Sequence, residues 1–224
     1  NMAYFTGPNI VTDNLKLAID AGSTRSYSGS GTSASSIVSS NTAVLYNSVG
    51  FSSSNGGYWD FDGTDDYIIT DFGNGLNPTT QDLTYGIWVK SDATQSSMFI
   101  MQSDWSDDRR FYVGSNNQKL GWGIQERGWG SVDTDVTFVN GEWYYISIVF
   151  SGTTAKLYAN GVLKYTDTIS SFTFNRNLTT SSGQPYENAY YWNGGIAAFR
   201  VYYEELTASE ILQNFNAQKS RFGL

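Results

Sequence analysis

Gly194-Gly195-Ile196-Ala197-Ala198-Phe199-Arg200-Val201-Tyr202-Tyr203, then Glu204-Glu205-Leu206 and Thr207-Ala208-Ser209-Glu210, is the stretch that decides the fold. The first ten residues read as a strand. Thr207 and Glu210 form a capping box, each satisfying the other's orphan amide at a helix start. Ile211, Leu212 and Phe215 follow at helical spacing and predict one apolar stripe on a short helix spanning 206–219. Everything upstream has the look of strands. An all-β chain closed by one strand and one short docked helix predicts a jelly roll.

Working back from that strand, the two-residue period recurs. Trp59 and Phe61 alternate with Tyr58, Asp60 and Asp62, which sets the aromatic pair on one face and the carboxylates on the other. Asp62-Gly63 turns the chain into Tyr67-Ile68-Ile69. Leu83, Tyr85, Ile87 and Val89 alternate with Thr84, Gly86, Trp88 and Lys90, and 98–101 and 110–113 are two more strands. Leu120, Trp122 and Ile124 alternate with Gly121, Gly123 and Gln125, and the two glycines leave bare backbone that another group can approach closely. Residues 143–150 are apolar on both faces and predict a central strand buried between layers. Asn160-Gly161 joins 155–159 to 162–165 and is the strongest hairpin signal in the chain. Residues 23–56 are rich in Ser, Gly and Thr but carry Ile37, Val38, Val44, Leu45, Tyr46, Val49 and Phe51. They read as a long ordered loop lying over the sandwich.

The 224 residues fit a single large β-sandwich, 1–224, whose first 22 residues supply an N-terminal segment and the first strand. Sixteen Tyr, 13 Phe and 7 Trp are enough to build a sizeable core. There is no Cys, so disulfides contribute nothing whatever the compartment, which fits a bacterial or viral source. A formal charge of −8 repels phosphate backbones and makes nucleic acid a poor partner. The run 143–150 is too short to span a bilayer, so membrane insertion is not expected. Residues 1–15 lack the basic start and apolar core of a signal peptide. Asn1 before Met2 reads as a cloning remnant, and Met2 as the native start of a nearly complete chain.

Phe61-Asp62-Gly63-Thr64-Asp65-Asp66-Tyr67 resembles the early strand signature of laminin-G-like domains in the concanavalin A-like lectin/glucanase superfamily. Residues 83–90 are similar to the next signature. Glu142-Trp143-Tyr144 and the run 152–161 are similar to the most diagnostic block, and 195–203 with 206–211 to the closing strand and helix. At the ends, 7–13 before 17–22, 213–217 and Arg221-Phe222-Gly223 resemble small laminin-G-like proteins of tailed phages. The resemblance implies a concanavalin A-like jelly roll of two curved antiparallel sheets, and a virion component. The family often has an acidic pair in the closing strand whose first carboxylate helps hold a structural calcium. Here those positions are Ala197 and Ala198, so the resemblance does not carry its calcium over.

With no His in the chain, Ser-His-Asp triads, Cys-His pairs and His-ligated metals are excluded. Walker-type and dinucleotide glycine motifs are missing. A glucanase of this superfamily would carry closely spaced acids on one strand, Glu-x-Asp-x-x-Glu or near it, and no such run exists, so the chain reads as non-catalytic. Asp60, Asp62 and Asp65 lie close in sequence and offer the hard oxygens that suit calcium. A solvated turn in which Asp62 and Asp65 bond nearby amides accounts for them more simply and is the favoured reading. Asp104-Asp107-Asp108 is a second acidic run, with Arg109 and Arg110 at hand to neutralise it.

Trp59, Trp88 and Trp143 lie in apolar strands and are expected in the core. Trp105 lies in a charged run, 103–108, and Trp129 between glycines. A flat indole beside Asp104, Asp107 and Arg109 is what a sugar needs, an apolar face for its C–H side and polar groups for its hydroxyls. The same indoles serve equally well to dock on another subunit, since Trp is enriched at interface hot spots. The expected partners are therefore a host-surface glycan or other virion proteins. The spacing of Trp192 does not say which way it points.

Overall fold

The computed structural model describes residues 8–73, 80–103, 110–124, 134–169, 178–180 and 190–224. Among them the early strands are β1 (Leu15–Asp20), β2 (Ser33–Ser35), β3 (Thr42–Tyr46), β4 (Gly50–Ser52), β5 (Tyr58–Asp62) and β6 (Tyr67–Thr70). Next come β7 (Leu83–Ser91), β8 (Ser97–Ser103), β9 (Arg110–Asn116), β10 (Lys119–Ile124) and β11 (Trp143–Ser151). The last are β12 (Thr154–Ala159), β13 (Val162–Thr168), β14 (Thr179–Thr180) and β15 (Asn193–Tyr202), followed by helix α1 (Ala208–Gln218) and a 3-10 turn, Lys219–Phe222.

Two antiparallel sheets face each other. One runs β13-β12-β11-β7-β15-β5-β4, with β1 also on β15, and the other runs β10-β9-β8-β14-β6-β3-β2. Ten-residue β15 is the hub of the first sheet. One edge pairs with β7 over almost its whole length, while the other takes β5 along its first half and β1 along its second. Inward residues of both sheets, among them Ile87, Ile148 and Phe199 against Phe99, Phe111 and Val113, form one buried cluster. This is the alternation expected of face-to-face packed sheets.

A second cluster lies on the outer face of the larger sheet, under the chain's end. Trp88, Trp143, Ala197, Ala198 and Tyr202 are covered there by Ile211 and Phe222. A bulge at β15 between Ile196 and Ala198 brings both alanines to this side, and their small size leaves room for the indole of Trp88, stacked on Phe222 at 4.2 Å. The capping box forms as read, with the Glu210 amide donating to Thr207 Oγ1 at 3.3 Å and the Thr207 amide donating to Glu210 Oε2 at 2.8 Å. Asn214 is buried and makes two side-chain hydrogen bonds. Its Oδ1 accepts from the Val11 amide at 2.8 Å and its Nδ2 donates to the Tyr202 hydroxyl at 3.2 Å, which in turn donates to Val11 O at 3.1 Å.

Two expectations change, and two open points are resolved. The stretch 23–56 is not one loop lying over the sandwich. It supplies β2 and β3 to one sheet and β4 to the other, because Ala34, Ala43 and Leu45 point into the core at a two-residue period. The helical stripe consists of Ile211 and Asn214 with Phe215 at its margin, and Leu212 faces outward over the β12–β13 turn. Trp192 is fully buried between Phe99 and Phe138, its Nε1 donating to Lys90 O at 3.2 Å. The backbone left bare at Gly123 is approached from within the sheet, by the Tyr112 phenol.

Candidate functional site

The two ends of the smaller sheet carry different chemistry. At one end, Ser103 closes β8 opposite Arg110 at the start of β9, and Ile124 closes β10 opposite Phe111. The segments 104–109 and 125–133 therefore leave from neighbouring strand ends on the same edge of the sandwich. β14 runs antiparallel to β8 and to β6, so the chain enters β14 and leaves β6 at this end as well. Trp105, Trp129, Asp104, Asp107 and Arg109 themselves lie outside the described residues.

The opposite end holds the β5–β6 turn. Carboxylate oxygens of Asp62, Asp65 and Asp66 lie within 4.8 Å of one another there. Asp60 is not in this group. It shares the outward face with Asp62 but sits one strand period back, where burial raises its carboxyl and Lys90, itself 2.8 Å from Asp92, lowers it. The turn is held in shape by its own polar groups. Asp62 Oδ1 accepts from the Thr64 amide at 2.7 Å, and Asp66 Oδ2 accepts from the Asp62 amide at 3.2 Å. Asn47 and Asn193 donate from their side chains to Asp65 O and Asp62 O at 2.8 and 2.9 Å. Tyr46 and Tyr67 stack alongside at 4.6 Å.

Asp66 is the residue the sequence reading missed. It is 3% exposed, whereas Asp62 and Asp65 face solvent. The signal was present in strand parity, since Ile68 and Thr70 of β6 point inward and Asp66 lies on the same side two residues earlier. Burial, with the adjacent carboxylates adding to it, pushes the Asp66 carboxyl from 3.8 up to about 6, against the pull of the Asp62 amide. The folded protein thus keeps a proton that the unfolded chain has already lost between those two values. In chelator-containing buffer, the stability of the wild type relative to Asp66→Asn is expected to fall as pH rises through that interval and to level off above it. Urea melts at stepped pH measure this, and a pH-independent difference would contradict it.

A family model described as the concanavalin A-like lectin/glucanases superfamily matches residues 62–212. The chain belongs to the concanavalin A-like lectin/glucanase superfamily. Solved structures agree on the fold. Sialidase from Trypanosoma rangeli, in complex with 2,3-difluorosialic acid, superposes with a TM-score of 0.72 at 12% identity, over 96% of this chain and 35% of that one. Domain 4 of AbnA, an extracellular arabinanase from Geobacillus stearothermophilus, in complex with arabinotriose, gives 0.66 at 14% identity, over 91% of this chain and 98% of that one. The binding domain of botulinum neurotoxin serotype D gives 0.66 at 12% identity, over 92% and 51%. The chain thus spans about a third of the sialidase's length. No curated protein matches it.

In this concanavalin A-like sandwich Ala197 and Ala198 are fully buried, and a fixed cation lies nearby. Asp20, in register with Ala198, accepts from Arg221 Nη1 through both carboxylate oxygens at 2.9 Å, and Arg200 Nη2 lies 3.8 Å away. Arg221 also donates from Nε to Asn55 O at 2.8 Å and from Nη2 to Gly57 O at 2.6 Å. One guanidinium thereby ties together the end of β1, the turn before β5 and the segment after α1. A cavity of about 520 Å3 opens beside it, lined by Asp20, Arg200, Gln218 and Arg221.

Proposed function

We propose that this protein is a non-catalytic, lectin-like domain of a virion that binds carbohydrate on a host surface. The carbohydrate contacts are Trp105 and Trp129, with Asp104, Asp107 and Arg109 meeting hydroxyl groups. The observation that carries this reading is the register of β8, β9 and β10, from which the segments bearing those residues leave side by side. The arabinotriose complex of a domain with this fold supports it by analogy. The virion setting rests on the resemblance of the terminal segments to phage proteins. A single shallow site with one or two stacking indoles binds weakly, and many copies on a particle raise avidity without new contacts.

A glycan array probed with multivalent protein, followed by titration of the best ligand, tests this. Trp105→Ala and Trp129→Ala are each expected to lower affinity about fivefold, the equivalent of ~1 kcal/mol, with an unchanged melting temperature. A variant that unfolds would mean that its indole belongs to the core. An array without hits favours the second reading, a structural decoration protein that docks on other virion subunits. Exposed Val38, Val44, Tyr46 and Phe51 in the stretch 23–56 speak for that reading. Release of reducing sugar from polysaccharide would overturn the non-catalytic assignment.

A further inference from the structure

We propose that the β5–β6 turn is a calcium site whose protein ligands are the carboxylates of Asp62, Asp65 and Asp66. The geometry brings these three groups within 4.8 Å of one another. An acidic turn alone does not make a site, because solvated carboxylates tolerate such spacing in water. What sets this one apart is Asp66, which is 3% exposed. Its Oδ2 is occupied by the Asp62 amide, but its Oδ1 is buried with no hydrogen-bond partner. A buried carboxylate oxygen left unpaired costs more than the hydrogen bond it lacks. A hard divalent cation between Asp66 and the two exposed carboxylates would satisfy that oxygen and offset the mutual repulsion of the three charges.

The surroundings suit calcium better than magnesium. The Thr64 amide on Asp62 and the Asn47 and Asn193 side chains on the backbone carbonyls of Asp65 and Asp62 fix the turn without using up the carboxylates. Asp62 and Asp65 are open to solvent, so water can complete six to eight oxygens in the irregular shell calcium accepts, whereas magnesium demands a near-ideal octahedron. The site lies at the opposite end of the smaller sheet from the strand ends that lead into 104–109 and 125–133. Its cation therefore stabilises the β5–β6 connection and makes no contact with a ligand bound at the other end. The proposal is independent of the glycan reading.

Thermal melts of the full chain, stripped with chelator and titrated with calcium chloride at pH 7.5, test it. Calcium at about one hundred times its dissociation constant is expected to raise the melting temperature by roughly 5–10 °C, and magnesium at equal concentration by much less. Calorimetric titration should give one calcium per chain. Asp66→Asn, which keeps the shape of the side chain, should abolish the calcium response while melting no lower than chelated wild type. Asp65→Asn, at an exposed position, should weaken the response by tenfold or more in calcium concentration and serves if Asp66→Asn does not fold. No calcium-dependent shift in the wild type, or a shift that survives both substitutions, overturns the assignment.

Discussion

Arg221→Ala is expected to lower the melting temperature by roughly 10 °C. The guanidinium is nearly enclosed, with its side chain 10% exposed and that of Asp20 11%. Removing it leaves the Asp20 carboxylate in that setting with the Gly22 amide at 2.9 Å on Oδ1 and Arg200 at 3.8 Å as the nearest cation, and a broken buried pair typically costs about 3–5 kcal/mol. It also frees the carbonyls of Asn55 and Gly57. For a chain of this size each kcal/mol corresponds to about 2–4 °C. Arg221→Lys separates charge from geometry, because an ammonium cannot reproduce the planar fork that bridges a carboxylate and two carbonyls. It should recover less than half of the loss. A drop of under 2 °C for Arg221→Ala would show that water replaces the guanidinium freely.

Gly194→Ala should have an effect at least as large, most readily seen as loss of soluble protein. Gly194, the second residue of β15, has φ +142, and a Cβ there would overlap Lys90 O, a backbone atom of the neighbouring strand that no rotamer change can move. The strand would have to separate from β7 where β15 also pairs with β5. Costs beyond about 4 kcal/mol are expected from so direct a clash. Gly152→Ala is the matched control. Gly152 has φ +55 with nothing within 4 Å of a Cβ, so only the backbone penalty of about 1 kcal/mol remains. Equal behaviour of the two variants would show that the overlap at Gly194 is relieved by a small local shift.

Much of the architecture was legible because local signals agreed with the global one. Asn160 and Gly161 take φ of 50 and 81 and join β12 to β13 with Ala159 facing Val162, as the hairpin signal required. Trp59, Trp88 and Trp143 are buried as their strands implied. The stretch 23–56 misled because its strands are only three to five residues long and two of them, the Ser-containing β2 and β4, lie at sheet edges. Short edge strands owe their conformation to the neighbours they pair with rather than to their own propensity. Leu212 misled for a related reason. Asn214 takes a buried place beside Ile211 through bonds to Val11 and Tyr202, partners more than ten residues away that no helical period reveals. At the acidic turn, Asp60 and Asp66 are equally polar in sequence, and only strand parity separates the outward one from the inward one.

The position of β15 also governs how the protein is made. It is the last strand in chain order, yet it sits between β7 on one side and β5 and β1 on the other. Before β15 has emerged from the ribosome, the larger sheet exists only as β13-β12-β11-β7, β5-β4 and an unpaired β1, with open hydrogen-bonding edges, since their shared neighbour is missing. Asp20 waits for an arginine 201 residues further on. Contacts of such separation make folding slow, and uncovered strand edges invite self-association. Until β15 has emerged and paired, the bare edges of β7 and β5 are where an unfinished molecule meets either a chaperone or another copy of itself.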